Sequence, residues 1–210
     1  AEGAGAPANT IGCVALTTAE ATNALLRHRD VGIILATGGE AMVHAAYSSG
    51  NPALGVGPGN GPAFIERTAD IPAAVGRILH SKTFDNGTIC ASEQSIVTEA
   101  CIAEAVAGEL RRQGACFLSP EQSDKLSGLL LRANGTMNPA IVGRTARQIA
   151  DMAGIQVPEE TRLLVSRQDG KGVHKKNPYA REKLCPVLAF FVVEDWEQAC
   201  ELCVRILRNE

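Results

Sequence analysis

Short apolar runs alternate with stretches of helical period along the first fifty residues, the pattern of a parallel α/β unit. Ile11-Gly12-Cys13-Val14-Ala15-Leu16 reads as a strand. Thr18 reads as the cap of a helix to about Arg27, with Ala21, Ala24 and Leu25 on its apolar side. A second strand, Val31-Gly32-Ile33-Ile34-Leu35-Ala36, runs into Thr37-Gly38-Gly39 and a helix from Glu40 to about Ser48. Leu54 to Pro62 is so rich in Gly and Pro that a loop entering a second domain is expected. Beyond it, Ala63-Phe64-Ile65-Glu66 is a short strand. Asp70 caps a helix whose apolar positions are Ile71, Ala74, Val75, Ile78 and Leu79, with Pro72 tolerated in its first turn. Gln94-Ser95-Ile96-Val97-Thr98 reads as a central strand. Helical periods return at Cys101 to Arg112, Glu121 to Leu131 and Thr145 to Met152, with Gly114, Gly135 and Gly154 marking ends. Arg162 to Val165 and Pro186 to Val193 are strands, separated by a polar link, Ser166 to Arg181, in which Lys171, His174, Lys175 and Lys176 read as a solvated loop.

Composition narrows the field. A hydrophobic fraction of 45% over 210 residues suffices for a core, and a formal charge of −3 with scattered Lys and Arg suggests neither nucleic acid nor an anionic membrane as partner. The longest apolar run, Pro186 to Val193, falls well short of the roughly 20 residues of a membrane helix. Seven cysteines, an odd number, fit a reducing compartment such as the cytoplasm better than a disulfide framework. Cys200 and Cys203 form a C-x-x-C, but on a helix-period stretch with no second pair and no nearby histidine, so no metal site is expected.

Chemistry concentrates around Cys90. The helix opened by Asp70 runs to Gly87, which suits a left-handed stop. The thiol then falls on a short turn near free backbone amides, where it can react as thiolate. Local context alone also allows a buried structural cysteine. Gly38-Gly39, at a strand end and helix start, is a place where a phosphate or nucleotide docks, or simply a tight turn.

Phe84-Asp85-Asn86-Gly87-Thr88-Ile89-Cys90-Ala91-Ser92-Glu93-Gln94 closely resembles the active-site segment of CoA-acylating aldehyde dehydrogenases. The likeness is strongest to the aldehyde dehydrogenase half of the bifunctional fermentative alcohol/aldehyde dehydrogenases and to their microcompartment relatives. Leu35-Ala36-Thr37-Gly38-Gly39, Ala45-Ala46-Tyr47-Ser48-Ser49-Gly50, Gly55-Val56-Gly57-Pro58-Gly59-Asn60 and Glu182-Lys183-Leu184 match in family order. The resemblance implies the end of a Rossmann-type coenzyme domain at residues 1–55 and an α/β catalytic domain at 56–210, truncated at its C-terminal end. Members of the family are longer. A chain that opens on Ala1 and stops at Val204 to Glu210 within a helical pattern reads as an internal piece, which alone could be an inactive α/β domain.

The same resemblance implies Cys90 as nucleophile, NAD as cofactor and coenzyme A as co-substrate. It places Thr37, Gly38 and Gly39 beside the nicotinamide and pyrophosphate, Glu182 on the nicotinamide-ribose hydroxyls, and Leu184 and Pro186 along that pocket. Read from its neighbours alone, Glu182 is a surface carboxylate. The substrate implied is a short aldehyde such as acetaldehyde. The setting implied is the cytoplasm or a bacterial microcompartment, with a homo-oligomer in the full-length protein. Arg181 and Cys185 depart from the His and Ser that close relatives often carry.

Val56 aligns with the carboxylate by which hydrolytic aldehyde dehydrogenases activate water, a contribution of roughly 10²–10⁴-fold. An apolar side chain there favours acyl transfer to a thiol, whose pKa near ~8.5 supplies thiolate unaided. Hydrolysis to the carboxylic acid would need another base, such as Glu66 or Glu93.

Overall fold

The computed structural model describes residues 1–209, and the chain divides into two compact units, Ala1–Pro58 and Gly59–Glu210. In the first, helix α1 (Ala19–Leu26) starts where expected, the Thr18 hydroxyl accepting the Ala21 N–H at 3.1 Å. Its buried residue is Leu26, while Leu25 is exposed, so the apolar face is turned one residue from the expected one. Strand β1 (Ile34–Thr37) leads through Gly38 and the cap Gly39 into α2 (Glu40–Tyr47). The expected loop at Leu54 is instead strand β2 (Ala53–Val56), paired parallel to β1 from Ile34↔Ala53 to Thr37↔Val56. Gly55 is there for packing rather than turning: a Cβ would lie 2.6 Å from Val43 Cγ1 and 2.9 Å from Tyr47 Cε2. Ile11–Leu16 forms no strand; Ile11, Val14 and Leu16 are exposed, and among the described residues this segment has no ladder partner. Apolar alternation makes a strand only where backbone groups can pair.

In the second unit, β3 (Pro62–Ile65), α3 (Ile71–Thr83), β4 (Ser95–Glu99), α4 (Ala103–Arg112), β5 (Ala115–Phe117), α5 (Pro120–Leu130), α6 (Ala146–Met152), β6 (Leu163–Gln168), β7 (Val187–Val193) and α7 (Trp196–Leu207) follow in order. Their strands form a five-stranded sheet, β3-β4-β7-β6-β5, parallel throughout. Both faces are covered, so strands read as continuous apolar runs. Along β7, Val187, Ala189, Phe191 and Val193 join a core with residues of α5, α6 and α7, while Leu188 and Phe190 join one with residues of α3 and α4. β5, three residues long, carried too little pattern to be read from the sequence, and β6 runs further than expected, burying Ser166 against Ser123 at 2.8 Å. Asp70 caps α3 through the Ala73 N–H at 3.1 Å. Lys171, His174, Lys175 and Lys176 are exposed.

Candidate active site

β3, β4 and β7 are sheet neighbours and parallel, so the segments entering their N-terminal ends lie side by side. Those segments are Gly59-Asn60-Gly61, Cys90 to Gln94 and Glu182 to Pro186. Ligands of open α/β sheets usually sit at the carboxyl ends of strands. Here the chemistry-bearing residues gather at the opposite edge.

Cys90 is presented by a sequence of local devices. α3 ends at Thr83, and a 3-10 turn, Phe84–Gly87, carries Asp85 and Asn86 with φ of 47° and 52°. Gly87 follows at φ 72°, where a Cβ would stand 2.8 Å from both the Cys185 carbonyl carbon and the Lys82 carbonyl oxygen, so the expected left-handed glycine is also demanded by space. Among the described residues, non-glycine positive φ occurs at Asn9, Asp85, Asn86 and Leu184 (φ 45°), and the last three flank Cys90 and Glu182. Such strain persists where surrounding structure over-determines the backbone. Cys90 itself is exposed, and no acceptor among the described residues takes its backbone N–H.

Gly59 and Gln94 tie the turn to the Glu182 segment. Gly59 approaches so closely that a Cβ would lie 2.5 Å from the Cys90 carbonyl oxygen, and the Gly59 N–H donates to Glu182 Oε1 at 3.0 Å. Gln94 Oε1 accepts the Lys183 N–H at 3.1 Å, and Gln94 Nε2 donates to the Ser92 carbonyl at 3.3 Å. Asn60, buried, donates to the carbonyls of Ala180 and Ile206 at 2.7 and 2.8 Å. Glu182 is half-buried and fastened by Gly59, not a free surface carboxylate. Leu184 is half-buried, and Pro186 is buried immediately before β7. Cys185 is buried against this ensemble, and burial pushes its thiol up to about 11, which keeps it protonated.

The other expected contacts lie in the first unit. Thr37 ends β1, the Gly38 N–H donates to the Val56 carbonyl at 3.1 Å, and exposed Gly39 caps α2. A Cβ on Gly39 would meet nothing within 4 Å, so its backbone is open to approach. Val56 is exposed.

Lys82 went unnoticed in the sequence. It is wholly buried and donates to Gln94 Oε1 at 3.1 Å and Ser92 Oγ at 3.5 Å. The available signal was its place on the buried stripe Val75, Ile78, Leu79, Lys82, where spacing demands an apolar residue. Glu66 is engaged by the Thr68 N–H at 2.9 Å, and Glu93 Oε2 is buried without a partner among the described residues. The described residues contain no group of His, Cys, Asp and Glu fit to hold a metal, and no helix long and apolar enough to cross a membrane.

Comparison with known proteins bears on this arrangement. A family model described as the aldehyde dehydrogenase family matches residues 1–168. The bifunctional aldehyde-alcohol dehydrogenase AdhE of Escherichia coli K12 is 45% identical over 204 residues, covering 97% of this chain and 23% of that protein. A crystal structure of a probable aldehyde dehydrogenase from Listeria monocytogenes superposes with a TM-score of 0.95 at 56% identity, over 100% of this chain and 46% of that one. An acetylating aldehyde dehydrogenase from Geobacillus thermoglucosidasius gives 0.94 at 47% identity, over 99% of this chain and 45% of that one. A Rhodopseudomonas palustris propionaldehyde dehydrogenase with bound propionyl-CoA gives 0.82 at 30% identity, over 91% and 42%. The chain thus spans about a quarter of the bifunctional relative and under half of these solved structures.

Proposed function

Because this chain belongs to the aldehyde dehydrogenase family, we propose that it carries the thioester-forming centre of an NAD-dependent, CoA-acylating aldehyde dehydrogenase acting on a short aldehyde. The observation that carries the reading is Cys90: an exposed thiol on a turn whose own N–H is unengaged among the described residues, fastened through Gly59 to Glu182. The resemblance of these segments to acylating enzymes, and the acetylating and CoA-bound relatives, support it.

The Cys90 thiolate adds to the aldehyde carbonyl, forming a C–S bond, and the Cys90 N–H donates to the alkoxide that develops. NAD, when bound, would supply the hydride acceptor that lets the Cys90 adduct become a thioester. The residues present fit this cofactor. Gly39, following Gly38 at the helix N-terminus, offers an open backbone suited to a pyrophosphate. Glu182, held half-buried by Gly59, offers a fixed carboxylate suited to ribose hydroxyls. The thiol of CoA then attacks the thioester carbon, and the Cys90–acyl bond breaks with Cys90 leaving as thiolate. Val56 offers no proton acceptor for water, and this favours the thiol as acyl acceptor.

The test is NADH formation from acetaldehyde, with and without CoA, in a polypeptide that carries this chain at the length of its relatives, with NADP run in parallel. Activity that needs CoA and is lost in Cys90→Ala is the expected result. Equal rates without CoA would overturn acyl transfer and turn attention to Glu93 as a base for water.

A further inference from the structure

An ammonium group at Lys82 is costly where it stands. It is fully buried on the α3 stripe, no carboxylate lies within ion-pair distance among the described residues, and its partners are one amide oxygen and one hydroxyl. Desolvation holds its pKa down to about 8, while Cys185, Glu93 and Glu182, the titrating groups that face it from the neighbouring segments, pull it back up. A methionine would fill the same stripe without that cost, so the contribution of the amine lies in what it bonds.

Both partners belong to the turn that carries Cys90. Ser92 is two residues after the thiol, and Gln94 opens the way into β4. Gln94 Oε1 receives two donors, the Lys82 amine at 3.1 Å and the Lys183 N–H at 3.1 Å, while Gln94 Nε2 faces the Ser92 carbonyl. That convergence fixes the orientation of the amide, since its oxygen alone can accept from two donors.

We propose that Lys82 is a positioning residue for Cys90: through the shared acceptor Gln94 Oε1, it locks the turn bearing the thiol to the Glu182-Lys183 backbone. The nucleophile and the carboxylate expected to hold the nicotinamide ribose are thereby kept in one register. Loss of the amine leaves Gln94 Oε1 with one donor and frees Ser92 Oγ, so the turn can shift while the surrounding sheet stays intact. The inference rests on Cys90 being the nucleophile, as proposed above.

The experiment compares wild type, Lys82→Met, Gln94→Leu, the double variant and Gln94→Glu in a polypeptide at the length of the relatives. It reads kcat and KM for CoA-dependent NADH formation, the rate of Cys90 alkylation by iodoacetamide followed on the Cys90 peptide, and Tm. A misplaced nucleophile costs turnover, so kcat should fall about ten- to hundredfold in Lys82→Met, with the KM for NAD within about twofold of wild type. Cys90 alkylation should slow by about threefold or more. Gln94→Leu should do the same and the double variant no worse, because the two substitutions break one link. Gln94→Glu, which retains an acceptor for both donors but loses the Nε2 bond to the Ser92 carbonyl, should keep a kcat between those of wild type and Gln94→Leu.

Unchanged kcat and unchanged Cys90 alkylation in folded Lys82→Met would overturn the inference, as would fully additive losses. If Lys82→Met does not fold, Gln94→Leu with normal Tm and normal alkylation overturns it equally. Should wild type itself show no CoA-dependent activity, the proposed function fails, and the alkylation rates still decide the role of Lys82.

Discussion

No side chain fits at Gly59, because a Cβ there would stand 2.5 Å from the Cys90 carbonyl oxygen. The approach seats the nucleophile turn on a backbone whose N–H is held by Glu182 at 3.0 Å. Gly59→Ala must therefore push the turn, the Gly59 segment or both, and the neighbour in the way is backbone rather than a flexible side chain. We expect kcat to fall by about tenfold or more, with stability lowered by about 1–3 kcal/mol from overpacking. Steady-state kinetics and urea unfolding check the two parts separately.

Gly87 carries two demands at once. Its φ of 72° disfavours any L side chain by about 1–2 kcal/mol. A Cβ would also lie 2.8 Å from two backbone atoms, an overpacking cost of about 1–3 kcal/mol. Gly87→Ala is expected to destabilise more than Gly59→Ala and to lower Tm by several degrees; paired thermal scans decide the order.

Lys82 makes stability depend on pH in a direction opposite to that of a paired lysine. Its folded pKa is about 8 and an unfolded lysine titrates near ~10.4. Between those values the unfolded chain holds a proton that the folded chain has released, so unfolding takes up a proton and stability rises with pH. Below about 8 both states are protonated and the burial penalty is fully present. The unfolding free energy of wild type minus that of Lys82→Met should therefore climb between pH 8 and 10.5 and be flat below; denaturant titrations at matched pH measure it.

Glu99 also makes stability rise with pH, but in an acidic window and as a stabilising group rather than a costly one. Buried at the end of β4, it accepts the Arg67 N–H at 2.7 Å and Nε at 2.8 Å, and these bonds hold its carboxyl below the usual range. Its contribution is present above about 4.3, the unfolded value, and disappears as pH falls through the folded one. Glu99→Gln should lower Tm at neutral pH and narrow the gap to wild type on acidification; thermal melts from pH 7 to pH 3 report it.

Elements whose cause is local were legible. Thr18 and Asp70 cap the helices they were expected to cap, because a short side-chain acceptor next to an apolar period is complete information for a helix start. Gly87 was legible for the same reason. Ile11–Leu16 misled because alternation says a segment would make a good strand but not that a partner exists. Leu54–Val56 misled in the opposite sense: Gly55 read as a turn residue, whereas its place is set by Val43 and Tyr47 packed over it.

The sequence by itself determined the α/β class, the caps, the glycine before the Cys90 turn and, through ordered motif resemblance, the family; these rest on residues a few positions apart. Tertiary structure alone decided that Gly59 abuts Cys90, that Gln94, already bonded to Lys82, reaches Lys183 across 89 positions of chain, and that a lysine is wholly buried on an apolar stripe. The physical reason is the parallel sheet. Strands β3, β4 and β7 are distant in sequence and adjacent in space, so the contacts between the segments entering them exist only once the ladder has set their register.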